Sequence, residues 1–142
     1  MNIIHASGGT LAWKDEYSVN VKEIDDQHKQ LFEQTNELHR MLQAHADAIT
    51  LTQQVEKILA SKAAHFATEE KYFHQFNFDG TAEHERLHRD FSEQIAYLQK
   101  EYASDINMLS AKLVDFLALW LVGHLMGVDQ KYKQCFKDGG LQ

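Results

Sequence analysis

The sequence predicts an all-α protein, an up-down-up-down four-helix bundle preceded by an extended N-terminal arm. Three observations support this prediction. Apolar residues recur at helical spacing in four long segments. The breaks between these segments are short, which favours antiparallel neighbouring helices. The 142 residues include no proline, so no ring interrupts a long helix.

The arm is predicted to extend to about Val21. Ser-Gly-Gly at 7–9 breaks regular structure, and the residues after it include Trp13 and Tyr17. These aromatic side chains are large enough to bury against the body of the bundle. We therefore expect the arm to pack on the helices.

The first two helices are predicted over about 21–45 and 51–76. In each segment an apolar side chain returns every three or four residues, which turns one face towards a core. Thr50 and Gln53 could form a capping box at the start of the second helix. The inward faces contain Ile24, His28, Leu31, Phe32, Thr35, Leu38 and Leu42 in the first helix, and Val55, Ile58, Leu59, Lys62, His65, Phe66, Glu69 and Phe73 in the second.

The last two helices are predicted over about 81–102 and 106–137. An Asp-Gly turn at 79–80 precedes the third helix, and Thr81 is its candidate N-cap. A pair of glycines at 139–140 ends the fourth helix. The whole chain, 1–142, is predicted to form one domain with its core at about 13–136.

Composition excludes several classes of protein. A net charge of -7 argues against a nucleic-acid-binding protein, which needs a basic face, and against an anionic membrane surface. No apolar run reaches the roughly 20 residues of a membrane span. The N-terminus has no basic stretch followed by an apolar one, so it predicts no secretory signal. The single cysteine, Cys135, suits a reducing compartment. We expect a cytoplasmic monomer.

Histidine and carboxylate residues interrupt the apolar faces of all four helices. His65 with Glu69, and His84 with His88, stand four residues apart, so each pair shares a helix face about 6 Å apart. One buried histidine alone is more often a hydrogen-bonded core residue than a ligand. Burying the full set without partners costs several kcal/mol, and a metal removes that cost. The set of candidate metal ligands is His28, His65, Glu69, His84, His88, His124 and Asp129.

The spacing of His124 and Asp129 does not fit a regular α-helix. Residues five apart are turned about 140° from each other. A single π-turn would return both side chains to one face, and such turns are frequent at functional sites. Gly123 and Gly127 make a local distortion less costly. We therefore predict a π-bulge near 124–129.

The candidate ligand set suggests a centre with two metal ions. Imidazoles and carboxylates suit iron, although manganese, cobalt or zinc would also bind. Seven ligands are too many for one ion and too few to saturate two. If both carboxylates and an oxygen bridge two irons, three histidines complete six-coordination at one iron. Two histidines then leave an open position at the other, where a small molecule such as dioxygen could bind.

With these motifs the sequence resembles the hemerythrin family, specifically its single-domain bacterial type. The resemblance covers about Trp13 to Phe136, and it includes every candidate ligand. The motifs that carry it are SVNV at 18–21, IDDQH at 24–28, HFATEE at 65–70, HERLH at 84–88, WLVGH at 120–124, and Asp129. Asn20 stands where we expect a glycine in bacterial relatives.

The resemblance implies a cofactor of two iron ions (Fe2+/Fe3+) with a bridging oxo or hydroxo group. It assigns the saturated iron to His84, His88 and His124, the open iron to His28 and His65, and the bridges to Glu69 and Asp129. It also implies an apolar lining around the open iron, which excludes water. By position this lining is Leu31, Phe66, Trp120, Leu121 and Leu125, residues that a core would also require.

The function implied by the resemblance is reversible dioxygen binding for storage, transport or delivery. An oxygen-requiring acceptor enzyme would be its partner, and the protein itself would not be an enzyme, apart from weak peroxidase or oxidase activity. Two alternatives stay open: an oxygen or redox sensor, which would need a signalling partner, and a di-iron oxidase or peroxidase. The Glu-x-x-His pattern of ferritin-like enzymes is absent from the ligand set.

Other polar residues near the motifs have weaker assignments. Asp25 or Asp26 is expected to orient a ligand imidazole, as outer residues of metal sites do. Tyr132, one turn past Asp129, is expected to lie at the edge of the dioxygen pocket. The remaining histidines, His5, His39, His45 and His74, match no ligand position and are expected on the surface.

Overall fold

The computed structural model describes residues 11–142, and its helices confirm the predicted all-α bundle. The four long helices pack as a ring in which each contacts the next and the fourth closes on the first. A short 3-10 turn, Asp15–Tyr17, precedes them. The bundle helices are α1 (Lys22–Gln43), α2 (Ala48–Gln75), α3 (Thr81–Glu101) and α4 (Ile106–Gly123). The chain continues from α4 through a π-helical turn (His124–Val128) and a 3-10 turn (Asp129–Tyr132) into α5 (Lys133–Asp138).

The arm packs against α1, as predicted, over residues 11–21. The backbone N–H of Leu11 donates to Asn36 Oδ1 at 2.7 Å, and Asn36 Nδ2 donates back to the Leu11 carbonyl at 2.8 Å. Trp13 and Tyr17 place their ring edges against Phe32, with centroids 5.9 and 5.8 Å away. The predicted break at 7–9 lies outside the described residues.

Two predicted helix caps are wrong. Helix α2 begins three residues earlier than predicted, because the Asp47 side chain accepts the backbone N–H of Thr50 at 2.8 Å and is the cap itself. Helix α3 has Gly80 at its N-cap position with no side-chain cap. Thr81 is instead the first residue of the helix, and its hydroxyl donates to the Phe78 carbonyl at 2.5 Å.

Apolar side chains form two separate clusters along the bundle. The larger one, the main core, occupies the half that contains the α1–α2 connection and includes Leu38, Leu51, Ile58, Leu113 and Leu117, all fully buried. The smaller one, the end cluster, consists of Val19, Val21, Ile24, Phe73, Tyr132 and Phe136. Along each helix the candidate ligands lie between the residues of the main core and the end of the bundle that holds the end cluster. The seven ligands therefore form a polar layer between two apolar clusters.

The segment Ile106–Asp138 is long and apolar enough, by length and composition, to cross a membrane, whereas the sequence analysis found no such segment. In this fold Leu113, Leu117 and Leu121 of that segment are buried in the main core. The core helix of a bundle has the same apolar composition as a membrane span, so the composition needs no membrane to explain it. That the protein does not insert into a membrane stays a prediction.

Candidate metal centre

The structure brings all seven candidate ligands together in one buried layer. Each of them is at most 6% exposed. Their potential ligand atoms form two groups, and within each group all atoms lie within 4.8 Å of one another. One group is Glu69, His84, His88 and His124, and the other is His28, His65, Glu69 and Asp129.

The two carboxylates lie between the histidines of the two groups. Glu69 Oε1 is 3.1 Å from His88 Nε2 and 3.3 Å from His65 Nε2. Asp129 Oδ2 is 3.1 Å from His28 Nε2, while its other oxygen, Oδ1, is 2.7 Å from His124 Nε2. Each carboxylate therefore reaches both groups, which is the placement that a bridge between two cations requires.

A π-helical turn gives Asp129 this position, as predicted. The turn covers His124–Val128, and the backbone N–H of Asp129 donates to the carbonyl of His124 five residues before it. A side chain at Gly123 or Gly127 would meet nothing within 4 Å, so close packing does not require glycine at either position. The turn allows His124 and Asp129 to point into the same layer.

Two polar residues, neither of them predicted from the sequence, contact ligand imidazoles through Nδ1, the ring nitrogen that does not face the layer. Gln27 Oε1 is 2.8 Å from His65 Nδ1, and Glu70 Oε2 is 2.8 Å from His88 Nδ1. If Nδ1 carries the proton and donates it to these oxygens, Nε2 of each ring presents its lone pair to the layer. This tautomer is the one that a metal ligand needs.

Asp25 and Asp26 do not orient an imidazole, so that prediction is wrong. Asp25 ties the arm to α1, because its carboxylate accepts the Ser18 hydroxyl at 2.5 Å and the backbone N–H of Val19 at 2.9 Å. Asp26 pairs with Lys22 on the surface.

Asn20, which lies at the end of the arm just before α1, has a φ of 61°, a left-handed conformation that favours glycine. Our expectation of glycine at this position in relatives agrees with that conformation.

Tyr132 contacts a carboxylate of the layer directly. It is fully buried in the end cluster, not among the five predicted pocket residues, and its hydroxyl donates to Glu69 Oε2 at 2.5 Å. Burial and the nearby Asp129 and Glu69 carboxylates raise the pKa of Tyr132 well above its ordinary value. The phenol therefore stays protonated and remains a donor that fixes the orientation of Glu69.

Burial disfavours protonation of two imidazoles of the layer, while the Asp129 carboxyl is held ionised. Burial lowers the pKa of His65 well below its usual value, and that of His124 also falls below its usual value, with burial again the largest cause. Burial alone would raise the pKa of Asp129, but His124 and the other imidazoles beside it hold that pKa well below the usual range. A bound cation would stabilise ionised carboxylates buried in the same layer as His65 and His124, whose protonation burial disfavours.

Several buried polar atoms of the layer have no hydrogen-bond partner among residues 11–142. They are both ring nitrogens of His28 and both carboxylate oxygens of Asp129. The oxygens lie close to histidine nitrogens, but these contacts are not aligned as hydrogen bonds. A bound cation would satisfy His28 Nε2 and both oxygens. The set of nitrogen and oxygen donors fits iron, as well as manganese, cobalt or zinc.

The five residues predicted to line a dioxygen pocket lie beside the layer, in or against the main core. Leu31, Leu121 and Leu125 are each 1% exposed. The ring of Phe66 stacks on His88 with centroids 3.7 Å apart, and Trp120 stacks on His124 with centroids 4.1 Å apart. These rings cover the imidazoles on the side of the main core. That they line a dioxygen pocket stays a prediction.

The histidines outside the ligand set divide into two kinds. His45 and His74 are exposed, as predicted, and His74 contacts Glu85. His39 is buried, at 6% exposure, so the prediction of a surface position is wrong for it. His5 lies outside the described residues.

The sequence is also similar to known proteins. The Hemerythrin HHE cation binding domain matches residues 19–136. A myohemerythrin from Riftia pachyptila is 32% identical over 125 residues, which cover 85% of this chain and 89% of that protein. A bacteriohemerythrin from Stenotrophomonas maltophilia is 27% identical over 86% of this chain and 78% of its own length. A bacteriohemerythrin from Clostridium acetobutylicum is 26% identical, over 86% and 98% respectively.

Proposed function

The chain belongs to the hemerythrin family, and from this premise we propose that it binds dioxygen reversibly at a centre of two iron ions. One observation carries the proposal. The two buried carboxylates, Glu69 and Asp129, each reach histidines of both ligand groups. One group has three histidines and the other has two, so equal bridging leaves one coordination position open. The three are His84, His88 and His124, and the two are His28 and His65.

In this proposal the residues around the layer keep the ligands in place. Gln27 and Glu70 hold the imidazoles of His65 and His88 through Nδ1. The Tyr132 hydroxyl holds one oxygen of Glu69. Two ferrous ions bound here would supply the electrons that reversible dioxygen binding requires. Preoriented ligands lower the reorganisation that accompanies a change of oxidation state.

The apolar residues beside the layer support binding and release over chemical turnover. Phe66 and Trp120 cover imidazoles, and Leu31, Leu121 and Leu125 are buried in the main core, to which both rings also belong or pack. An apolar surface excludes water and disfavours the escape of charged oxygen species. We therefore propose a carrier that stores, transports or delivers dioxygen, and an oxidase, a peroxidase or a sensor becomes an alternative outcome of the experiments.

The first experiment is an absorption spectrum of the iron-loaded protein after reduction with dithionite. The anaerobic solution should be colourless, turn pink on admission of air, and bleach when oxygen is removed. Asp129→Asn should abolish the pink form, whereas Asp138→Asn, an exposed control, should retain it. Direct conversion of the reduced protein to a stable yellow ferric form would refute reversible binding and favour an enzyme or a redox sensor.

A second experiment separates a carrier from an enzyme. Leu125→Ala removes a buried side chain beside His124, and we expect autoxidation to become about tenfold faster as water enters. Leu119→Ala, at an exposed position of α4, is the matched control and should leave the rate unchanged. Equally fast autoxidation in the unmodified protein would contradict a storage role.

A further inference from the structure

A lysine with no hydrogen-bond partner is buried next to the ligand layer. Lys62 lies on α2, three residues before His65, and is only 2% exposed. Its Nζ has no hydrogen-bond partner among residues 11–142. Most lysines on a helix extend the amine into water, but the amine of Lys62 is buried. A buried amine without a polar partner is costly, so the position needs an explanation.

Three aromatic rings lie around the Lys62 amine. Its Nζ is 3.8 Å from the ring centroid of Trp120, 4.5 Å from that of Phe66 and 5.0 Å from that of Phe91. The face of an aromatic ring attracts a cation, and this attraction is stronger where water is excluded. The rings therefore favour the charged, ammonium form of the side chain and partly replace the water that it lacks.

Two of these rings also touch the ligand layer. The ring of Trp120 stacks on the imidazole of His124 with centroids 4.1 Å apart, and that of Phe66 stacks on His88 with centroids 3.7 Å apart. The Lys62 amine therefore lies within about 8 Å of the His124 imidazole, a separation at which buried charges interact with little screening. Both imidazoles belong to the group with three histidines.

The charge of Lys62 acts on both ligand groups. Burial lowers the pKa of Lys62 to about 7, against the attraction of the Glu69 and Asp129 carboxylates, so below that pH the ammonium form predominates. Burial is the largest cause of the lowered pKa of His65 and of His124, and the positive charge of Lys62 lowers both further. One of these histidines belongs to each ligand group, so the field of the ammonium reaches across the layer.

We propose that the Lys62 ammonium group raises the reduction potential of the metal centre. Each iron gains one electron when it passes from the ferric to the ferrous state, and a positive charge nearby favours that gain. An exposed lysine has little such influence because water and salt screen it, whereas Lys62 is enclosed by rings. The charge therefore helps to hold the centre in its ferrous state. The inference rests on the iron centre of the proposed function, but not on dioxygen binding.

The test is a potentiometric titration of the iron-loaded protein under argon, at a pH one unit below the pKa of Lys62. Lys62→Met keeps most of the length of the side chain but removes its charge. With a charge about 10 Å away and an effective dielectric constant of about 20, we expect the ferrous form to be disfavoured roughly tenfold in this variant. For one electron that is a fall of about 59 mV in the midpoint potential.

Two further variants separate the buried charge from net charge and from packing. Lys57→Met removes the same charge from an exposed position of α2 and should leave the midpoint unchanged. Lys62→Arg keeps the charge and should keep the midpoint close to that of the unmodified protein. Iron analysis of every sample ensures that equally loaded centres are compared. If Lys62→Met does not take up iron, Lys62→Gln, which is neutral but polar, serves for the same measurement.

An unchanged midpoint in the neutral variant at full iron content would overturn the proposal. So would an equal fall in Lys57→Met, because net charge alone would then set the potential, or an equal fall in Lys62→Arg, because packing would then set it. A fall confined to the neutral Lys62 variant would support the proposal. A reduced centre that does not bind dioxygen reversibly would refute the proposed function and leave the measured potentials, and this inference, unaffected.

Discussion

The main core and the ligand layer, which occupy different halves of the bundle, are equally buried but differ in the chemistry of what they bury. In the main core, Leu38, Leu51 and Leu117 are fully buried and need only one another. In the ligand layer, Glu69 and Asp129 are just as fully buried, yet their oxygens face imidazoles, and burial lowers the pKa of two of these, His65 and His124. The first arrangement stabilises the fold by itself, whereas we expect the second to stabilise it only once a cation is bound. Burial alone therefore does not show which part of a helix bundle is stable.

The strongest test of this difference is removal of the metal. We expect chelation to lower the free energy of unfolding on the order of 10 kcal/mol, because metal binding is coupled to folding. Hydrogen exchange should speed up first around His28, His84 and the segment 124–132, and at Leu51 and Leu113 only through global unfolding. Thermal unfolding and hydrogen exchange of the chelated and reloaded protein measure both effects. An unchanged melting temperature would contradict the dependence on a cation.

A core substitution tests the opposite half. Leu117→Ala should lower the free energy of unfolding by about 2–5 kcal/mol, because it leaves a cavity among fully buried side chains. Metal content should stay the same, since Leu117 lies in the main core and is not one of the proposed ligands. Leu119→Ala, at the exposed position two residues on, should change stability by less than about 0.5 kcal/mol. Urea unfolding with iron analysis measures both, and a loss of iron in Leu117→Ala would show that the halves are coupled.

The pH dependence of stability tests the burial of the Lys62 amine, which lies between the main core and the ligand layer. The pKa of Lys62 is about 7 in the folded protein and 10.5 for an ordinary lysine. Between these values the unfolded chain binds more protons, so stability relative to Lys62→Met should rise with pH, by up to about 1.4 kcal/mol per pH unit. Urea unfolding from pH 7 to pH 9 measures the slope. The Lys57→Met control should show no such difference, and a flat difference for Lys62→Met would mean that the amine is not desolvated.

The smallest expected effect concerns a single hydrogen bond in the layer. Tyr132→Phe removes the phenol that donates to Glu69, and we expect a loss of about 1 kcal/mol in the free energy of unfolding. Tyr97→Phe, on the exposed face of α3, should be neutral. Urea unfolding of metal-loaded protein compares the two. A neutral Tyr132→Phe would mean that the Glu69 carboxylate needs no fixed donor.

Features that depend on one helix at a time could be predicted from the sequence. The apolar period indicated the four helices, and the conflict between that period and the spacing of His124 and Asp129 indicated the π-turn, which the structure confirms. The buried position of His39 was also accessible, because it stands four residues after Thr35 and three before Leu42, at the edge of the apolar face. The lack of a match to a ligand position therefore does not place a histidine on the surface.

Features that depend on two helices could not be predicted in this way. Gln27 meets His65, and Glu70 meets His88, only after α1, α2 and α3 have packed, and neither residue lies in the apolar stripe of its own helix. Lys62 did leave a signal, since a lysine within an apolar face breaks the usual pattern. Which rings surround its amine depends on how α2, α3 and α4 cross, and no single-helix pattern contains that information.

The π-helical turn also sets which side chains face inward over the last part of the chain. In an uninterrupted α-helix the inward positions after His124 would be Val128 and Cys135, four and eleven residues on. The observed inward residues are instead Asp129, Tyr132 and Phe136. The extra residue of the π-helical turn therefore moves the inward position from Val128 to Asp129 and from Cys135 to Phe136. The turn thus sets the helical register of the end of the chain. A one-residue deletion within it would rotate the carboxylate, the phenol and the terminal aromatic ring away from the bundle interior together.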